Sequence, residues 1–149
     1  MVVSSMDNLI TQLLNYALFD KHIAVHTEAL SPETPCAADP SKHTIIINTN
    51  WHTKKELPLQ IAHEIGHVLN EDEGVLYYSS TASHNSIEYA ASQTGIKILV
   101  TLYFKNVLAS DANLNTFVKQ LAIPSYMEPY TENCIKLFYN KRTSHAKNE

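Results

Sequence analysis

The sequence is poor in glycine and cysteine. It has three glycines and two cysteines among 149 residues. The few glycines and an apolar content of 44% predict a folded, helix-rich globule and argue against a disordered chain. Cys36 and Cys134 lie far apart and form no Cys-x-x-Cys pair, so they give no indication of a metal site. Without an export signal, such cysteines favour free thiols in a reducing compartment.

Long apolar runs and clustered positive charge are missing too. No segment approaches the roughly 18 apolar residues that cross a bilayer, and the N-terminus MVVSSMD lacks the basic and apolar stretches of a signal peptide. A net charge of −4 and a pI of about 6.0 argue against general binding to nucleic acids or anionic membranes. We therefore expect a cytoplasmic protein with one domain over residues 1–149.

One short stretch carries a recognisable chemistry. Ile61–Asn70 reads IAHEIGHVLN and contains His63, Glu64 and His67 in the H-E-x-x-H spacing. On an α-helix, residues four apart share a face, so both imidazoles can reach one ion at Zn–N distances of about 2.0–2.1 Å. Glu64 points a carboxylate at the same region, where it can act as the general base of a metallopeptidase. The spacing therefore predicts a zinc site on this helix.

The residues around the motif favour a helix. Apolar side chains at helical spacing form a stripe: Ile61, Ile65 and Val68. Both motif histidines fall on the other side, which predicts an amphipathic helix that carries them on its non-core edge. Thr53 and Glu56 have the form of a capping box, so the helix begins there or restarts at Pro58. Gly66 and Gly95 suggest close approach of neighbouring backbones, although a merely tolerated glycine is the alternative for Gly66.

A catalytic zinc needs a third protein ligand and an open position for water. The H-E-x-x-H-x-x-G-x-x-H arrangement fails, because Asn70 and Glu73 occupy its Gly and third-His positions. Glu71 lies one turn past His67, but three ligands along one straight helix surround an ion poorly. Glu88 begins a second helical pattern and can reach the ion from a crossing helix, which we favour. The alternative for Glu88 is an ordinary first-turn acid stabilised by the helix dipole.

The segments that carry these residues resemble the ImmA/IrrE family of zinc metallopeptidases. Ile61–Asn70 is preceded by TIIIN at Thr44–Asn48 and followed by EYAASQTGIKILV at Glu88–Val100. That family has an H-E-x-G-H helix and then a helix reading roughly E-x-x-A-(D/N)-x-F-A-x-x-L-L. The likeness is good over about 44–101 and weak in the flanks.

This resemblance implies an α+β, zincin-like fold, rich in helix, with a small sheet beside the motif helix. It implies that His63, His67 and Glu88 bind Zn²⁺ and that Glu64 is the catalytic base. The strand Thr44–Asn48 would lie beside the cleft and offer a free edge to an extended substrate. The implied activity is site-specific cleavage of a helix-turn-helix repressor from a phage or mobile element.

Some positions depart from the family pattern. Ser92 stands where the family usually has Asp or Asn, a side chain that orients a histidine. Thr94 and Gly95 replace the usual Phe-Ala, and Thr101 stands where a Pro often ends the run. The predicted zinc ligands are unaffected. These departures leave an alternative, a regulatory protein that holds zinc and binds a repressor without efficient cleavage.

Periodicity and turn residues predict the remaining elements. In chain order they are a helix from Ser5 or Asp7 to Asp20, a strand at His22–Thr27, a loop at Leu30–Lys42, a helix from Ile87 to about Leu108, a helix capped by Ser110 or Asp111 and ending at Leu121, and a helix from about Tyr126 or Thr131 to Tyr139, followed by a frayed tail. These elements predict a motif core at about 44–108 and a C-terminal helix pair at about 111–140.

Some predictions concern partners and the surroundings of the site. The C-terminal pair faintly resembles a helix-turn-helix, which makes a DNA-binding regulator using Lys136, Lys141 and Arg142 a further alternative. Cations are few there, so a packing pair is favoured and direct nucleic-acid binding is not expected. The acids at Glu71–Gly74 predict a solvated loop. A residue of the Tyr- and Ser-rich connection, a tyrosine or His84, can stabilise an oxyanion, and no spacing rule selects one.

Overall fold

The computed structural model describes residues 5–78 and 86–147. Within those ranges the helices are α1 (Ser5–Asn15), α2 (Leu57–Leu69), α3 (Ser86–Tyr103), α4 (Leu114–Gln120) and α5 (Glu128–Lys147). The strands are β1 (Ala24–Glu28), β2 (Ala37–Asp39), β3 (Thr44–Asn48) and β4 (Leu76–Tyr77). The chain is therefore α+β, as predicted. No helix in the described ranges has the length and apolar content needed to cross a membrane.

The four strands form a mixed sheet in the order β1-β3-β2-β4. β1 runs parallel to β3, with Val25 opposite Ile45, and β2 is antiparallel to both β3 and β4. Ile45 and Ile47 are buried and anchor the sheet to the core. The predicted strand at Thr44–Asn48 is confirmed, but its predicted free edge is wrong because β3 is paired on both sides. Among the described strands, the edges are β1 and β4.

The loop predicted at Leu30–Lys42 contains β2, which sequence reasoning missed. Three residues are too few for an alternating pattern to be visible, and three prolines surround them. Long-range pairing creates the strand instead. The N–H of Cys36, just before β2, donates to Oε1 of the buried Gln60 on α2, at 3.0 Å. The helix and the sheet are therefore joined at this point by a buried hydrogen bond.

Asn48, at the end of β3, is fully buried and bonds four backbone groups. Its Oδ1 accepts hydrogen bonds from the N–H groups of Leu30 and Asn50, each at 2.9 Å. Its Nδ2 donates to the carbonyls of Ser31 and Thr34, each at 2.7 Å. These bonds use the full donor and acceptor capacity of the amide. Asn48 thereby fixes the loop that leads into β2.

Replacing Asn48 with alanine is expected to lower the free energy of unfolding by about 2–4 kcal/mol, because several backbone groups lose their partner. Asn50 is the matched control, since its exposed amide donates to the Leu30 carbonyl at 2.9 Å. Asn50→Ala is expected to cost less than about 1 kcal/mol. Urea unfolding of both variants measures the difference, and equal losses would contradict the role of Asn48.

The motif helix α2 is buried on every side. All residues from Leu57 to Val68 are buried, since the helix packs against the sheet, α1 and α3. The prediction of an amphipathic helix with a polar edge is therefore wrong. The capping box is also wrong, because Thr53 makes no side-chain cap bond. The helix begins at Leu57 with Pro58 in its first turn, where a missing N–H is harmless.

The C-terminal elements differ from prediction mainly at their ends. α3 ends at Tyr103, short of the predicted Leu108. Asn113 caps α4 by accepting from the Thr116 N–H at 3.0 Å, so neither Ser110 nor Asp111 is the cap. α5 continues to Lys147, through the tail predicted to be frayed. Cys36 and Cys134 are free thiols, as expected, and both are buried.

Candidate metal centre

Three predicted ligands converge where α2 and α3 cross. His63 and His67 of α2 are fully buried, and Glu88 in the first turn of α3 faces them. Glu88 Oε2 lies 2.7 Å from Nε2 of His63 and 2.8 Å from Nε2 of His67. The ligand atoms of the three residues all lie within 4.8 Å of one another. Of the candidates for a third ligand, Glu88 is the one that the structure brings to the histidines.

Glycines permit the crossing of α2 and α3. A Cβ atom at Gly95 would lie 2.8 Å from the carbonyl carbon of Ala62 and 2.9 Å from the N atom of His63. A Cβ at Gly66 would collide with the carbonyl oxygen of Ala91 on α3. Real side chains do not approach backbone so closely, so both glycines are required for the two backbones to meet. The predicted close approach at Gly66 and Gly95 is confirmed.

The chain reverses after α2 and brings an acid to His67. Glu71 has a φ of 58°, its N–H donates to the Val68 carbonyl, and the Asp72 N–H donates to the His67 carbonyl, both at 3.1 Å. This Schellman turn places Asp72 Oδ2 at 2.9 Å from His67 Nδ1. The prediction of a solvated loop is wrong for Asp72, whose carboxylate supports His67. Sequence reasoning missed this contact because it depends on a left-handed backbone conformation at Glu71, and nothing in a glutamate's side chain signals that conformation.

Ser92 occupies the corresponding position beside His63. Its Oγ lies 2.8 Å from His63 Nδ1, and the side chain is buried one turn after Glu88 on α3. The position at which the family pattern has a histidine-orienting Asp or Asn therefore contacts a histidine here, although it holds serine. A hydroxyl can accept the Nδ1–H of a neutral imidazole, as a carboxylate does, but without its charge.

The donor set fits a divalent cation. His67 has a carboxylate oxygen at both ring nitrogens, from Asp72 and Glu88. Carboxylates only accept hydrogen bonds, and a neutral imidazole has one N–H to give. A neutral imidazole at this position therefore points the lone pair of one ring nitrogen at a carboxylate oxygen, which is repulsive. A cation bound between that nitrogen and the carboxylate removes the repulsion. With the Nδ1–H of His67 donated to Asp72, its Nε2 is left as a metal ligand.

Burial and charge set the protonation of the ligands. Burial lowers the pKa of His63, and this effect outweighs the opposing hydrogen bond to the Glu88 carboxylate. The lowered pKa favours the neutral imidazole that a metal needs. Burial acts to raise the pKa of Glu88, but its contacts with the two imidazoles outweigh this effect and lower it. Glu88 therefore stays ionised and His63 neutral near pH 7.

Glu64 lies beside His63, His67 and Glu88, which we call the triad. It is fully buried, and neither carboxylate oxygen has a hydrogen-bond partner among the described residues. Desolvation raises the pKa of Glu64 well above 4.5, and the charge of Glu88 adds to the rise. A buried orphan carboxyl is costly unless something polar approaches it. A water activated at the triad is such a group, so Glu64 also fits a metal site.

Tyr78 forms one wall of the site. Its ring meets His63 edge-on with centroids 5.1 Å apart, and its N–H donates to the Cys36 carbonyl at 3.1 Å. Burial raises the pKa of Tyr78, with a neighbouring tyrosine and acids adding to the effect, so its hydroxyl stays protonated. Oxyanion stabilisation by a tyrosine stays a prediction. His84, the other candidate, lies outside the described residues.

Asp72→Ala is expected to weaken the binding of a divalent cation at His63, His67 and Glu88 about 10- to 100-fold, because His67 loses the acceptor that orients its ring. Glu73 is the control, an exposed acid in the same turn. Glu73→Ala is expected to leave the affinity nearly unchanged. Competition with a chromophoric chelator measures both. An unchanged affinity in Asp72→Ala would show that His67 needs no support from this carboxylate.

No family model, curated protein or solved structure matches this chain. Its function is therefore inferred from the geometry of the site and from the motif. The structure brings His63, His67 and Glu88 together, as predicted, and buries Glu64 next to His63 on α2. Asp72 joins them through the turn after α2.

Proposed function

We propose that this protein is a zinc-dependent endopeptidase with a zincin-like fold. One observation carries the proposal. Two imidazoles and one carboxylate, from His63, His67 and Glu88, converge beside Glu64. Glu64 is a buried carboxyl without a hydrogen-bond partner among the described residues. A structural zinc site would be closed by a fourth protein ligand and would have no use for such an acid.

Zinc is the metal that the donor set favours. Two imidazole nitrogens and one carboxylate match the His2Glu set of catalytic zinc sites, whereas magnesium and calcium prefer oxygen ligands. The cation would polarise a water molecule and the scissile carbonyl. His63 and His67 would be held in their metal-binding tautomers by Ser92 and Asp72.

Glu64 performs the proton transfers in this proposal. Its elevated pKa suits a general base that must also act as an acid near neutral pH. Glu64 accepts a proton from the attacking water and later passes it to the leaving amine. Because Glu64 is fully buried, bulk water does not compete for its proton.

The substrate proposed is a helix-turn-helix repressor of a phage or mobile element, on the strength of the resemblance in the motif segments. β4 supports an extended binding mode for the cleaved segment. It is an edge strand among the described strands, and Tyr78 directly after it contacts His63. An unfolded stretch of substrate can add to that edge through main-chain hydrogen bonds.

The experiment is to load the purified protein with Zn²⁺ and incubate it with the repressor encoded beside its gene. Cleavage at one or few sites, stopped by a chelator and restored by Zn²⁺, is the expected result. Mass spectrometry of the products identifies the cut bond. If titration calorimetry shows that the protein binds no divalent cation, the proposal is wrong, because every step of it requires the metal.

A second candidate is a zinc-holding regulator that binds its repressor without efficient cleavage. The observation that favours it is Ser92, whose neutral hydroxyl contacts His63 where the family pattern has Asp or Asn. Tight repressor binding with no cleavage would support it. DNA binding has less support, since Lys136 pairs with Glu132 and Arg142 donates to the Phe104 carbonyl.

A further inference from the structure

A pocket of about 520 Å³ lies beside the triad, at the N-terminal end of α2. Its walls include Glu33, Trp51, His52, Glu56, Leu59 and Tyr78. Leu59 precedes His63 by one helical turn, and the Tyr78 ring that lines the pocket also meets the His63 ring, with centroids 5.1 Å apart. The pocket and the metal centre therefore share a wall, and we call it the acidic pocket.

The charge of the acidic pocket is negative. It is lined by Glu33 and Glu56, and none of its described lining residues is lysine or arginine. The Glu33 carboxylate accepts a hydrogen bond from Ser31 Oγ at 2.8 Å and keeps its charge. Lys54, two residues before Glu56, forms an ion pair with Asp7 of α1 and so is engaged elsewhere. A negative pocket near a low-dielectric core attracts a cationic side chain and repels an acidic one.

An aromatic ring fixes one of these carboxylates. Trp51 Nε1 donates to Glu56 Oε1 at 2.9 Å, and the indole packs on His52 with centroids 4.2 Å apart. A carboxylate has acceptor capacity for further donors after this bond. An indole face next to a held carboxylate recognises guanidinium or ammonium groups by cation–π contact and charge-assisted hydrogen bonds.

We propose that the acidic pocket accepts an arginine or lysine side chain of the protein substrate, next to the scissile bond. The position relative to a scissile bond rests on the proposed peptidase function. Recognition of the cation itself rests only on the pocket. The chain's net charge of −4 agrees with a basic partner segment.

Trp51 is the one tryptophan of the chain, so its fluorescence reports occupancy of the acidic pocket without any need for cleavage. The probes are N-acetyl-Ala-Arg-Ala amide and its uncharged citrulline isostere, titrated into zinc-loaded Glu64→Gln protein. The arginine peptide is expected to bind about five- to tenfold more tightly. Glu56→Gln keeps an acceptor for Trp51 and removes the charge, so the preference is expected to fall to about twofold.

Glu28→Gln changes an exposed acid that does not line the pocket, so it is the control for net charge and is expected to keep the preference. Equal affinity for the two peptides would overturn the inference, as would a preference that survives in the double variant Glu33→Gln/Glu56→Gln. A mixed peptide library digested by the wild-type protein gives the second readout, in which basic residues are expected next to the cut bonds. Arginine-selective binding without cleavage would contradict the peptidase proposal and leave the pocket assignment standing. Cleavage without a preference for basic residues would contradict the pocket assignment and leave the peptidase proposal standing.

Discussion

Glu64→Gln is expected to reduce cleavage about 10²- to 10⁴-fold while zinc remains bound in one-to-one ratio. Glutamine has nearly the same shape but cannot accept and return a proton, so only the transfer step is lost. Glu64 is not one of the three convergent ligands, and its replacement leaves His63, His67 and Glu88 in place. The measurement is the initial rate of repressor cleavage, with metal content determined on the same sample.

The same substitution has a distinct effect on the metal-free protein. Burial raises the pKa of Glu64 well above 4.5, so the folded state binds a proton that the unfolded state releases at lower pH. The folded state is therefore destabilised as pH rises above 4.5 and through the folded pKa. Glutamine does not titrate, so the stability of Glu64→Gln relative to wild type is expected to increase between pH 5 and pH 8.

Denaturant unfolding of both metal-free proteins across this pH range isolates the contribution of Glu64, because the other titrating groups are common to both. A difference that stays constant with pH would mean that Glu64 is not buried as an acid. A Glu64→Gln protein that cleaves at the wild-type rate would remove Glu64 from the proposed chemistry, whatever the stability data show.

Gly95→Ala is expected to destabilise the protein and to weaken zinc binding at the same time. The added Cβ would lie 2.9 Å from the N atom of His63, on the opposite helix. Such overpacking costs about 1–3 kcal/mol or more, which exceeds the gain of up to about 1 kcal/mol that alanine has over glycine in a helix. The helices must separate, which moves Glu88 on α3 away from the histidines on α2.

Urea unfolding of the metal-free protein and a chelator competition assay measure the two effects of Gly95→Ala. Asn48→Ala is the matched control, since it destabilises the loop near β2 without touching the helix crossing. It is expected to leave zinc affinity nearly unchanged. Helix propensity alone predicts that Gly95→Ala raises the free energy of unfolding. That result would contradict the inference that α2 and α3 pack too closely at this position to admit a Cβ atom.

Local pattern was sufficient for several parts of this protein. The three isoleucines of β3 and the apolar spacing of α2 identify those elements because neighbouring residues along the chain determine their backbone. The H-E-x-x-H spacing selects one helix face for the same reason. The start of a second helical pattern, and the likeness of that segment to a known family, indicate Glu88 as the third ligand.

Contacts between distant segments could not be read in this way. β2 is a strand because β3 and β4 flank it, although its three residues show no pattern of their own. The burial of α2 on every side depends on α1, α3 and the sheet packing around it. The apolar stripe in its sequence therefore wrongly predicts a helix with one exposed polar edge. Asn48 appears in sequence as an ordinary polar residue, and its four bonds exist only once the loops meet.

The chemistry available to this protein follows from local sequence, because residue type and helical spacing decide which donors can share an ion. Tertiary structure decided how that chemistry is tuned. The crossing of α2 and α3 buries Glu64 and brings Ser92 to His63, and the left-handed turn at Glu71 brings Asp72 to His67. Burial and second partners depend on which segments pack together, and that choice is made by the whole core, not by any one stretch of chain.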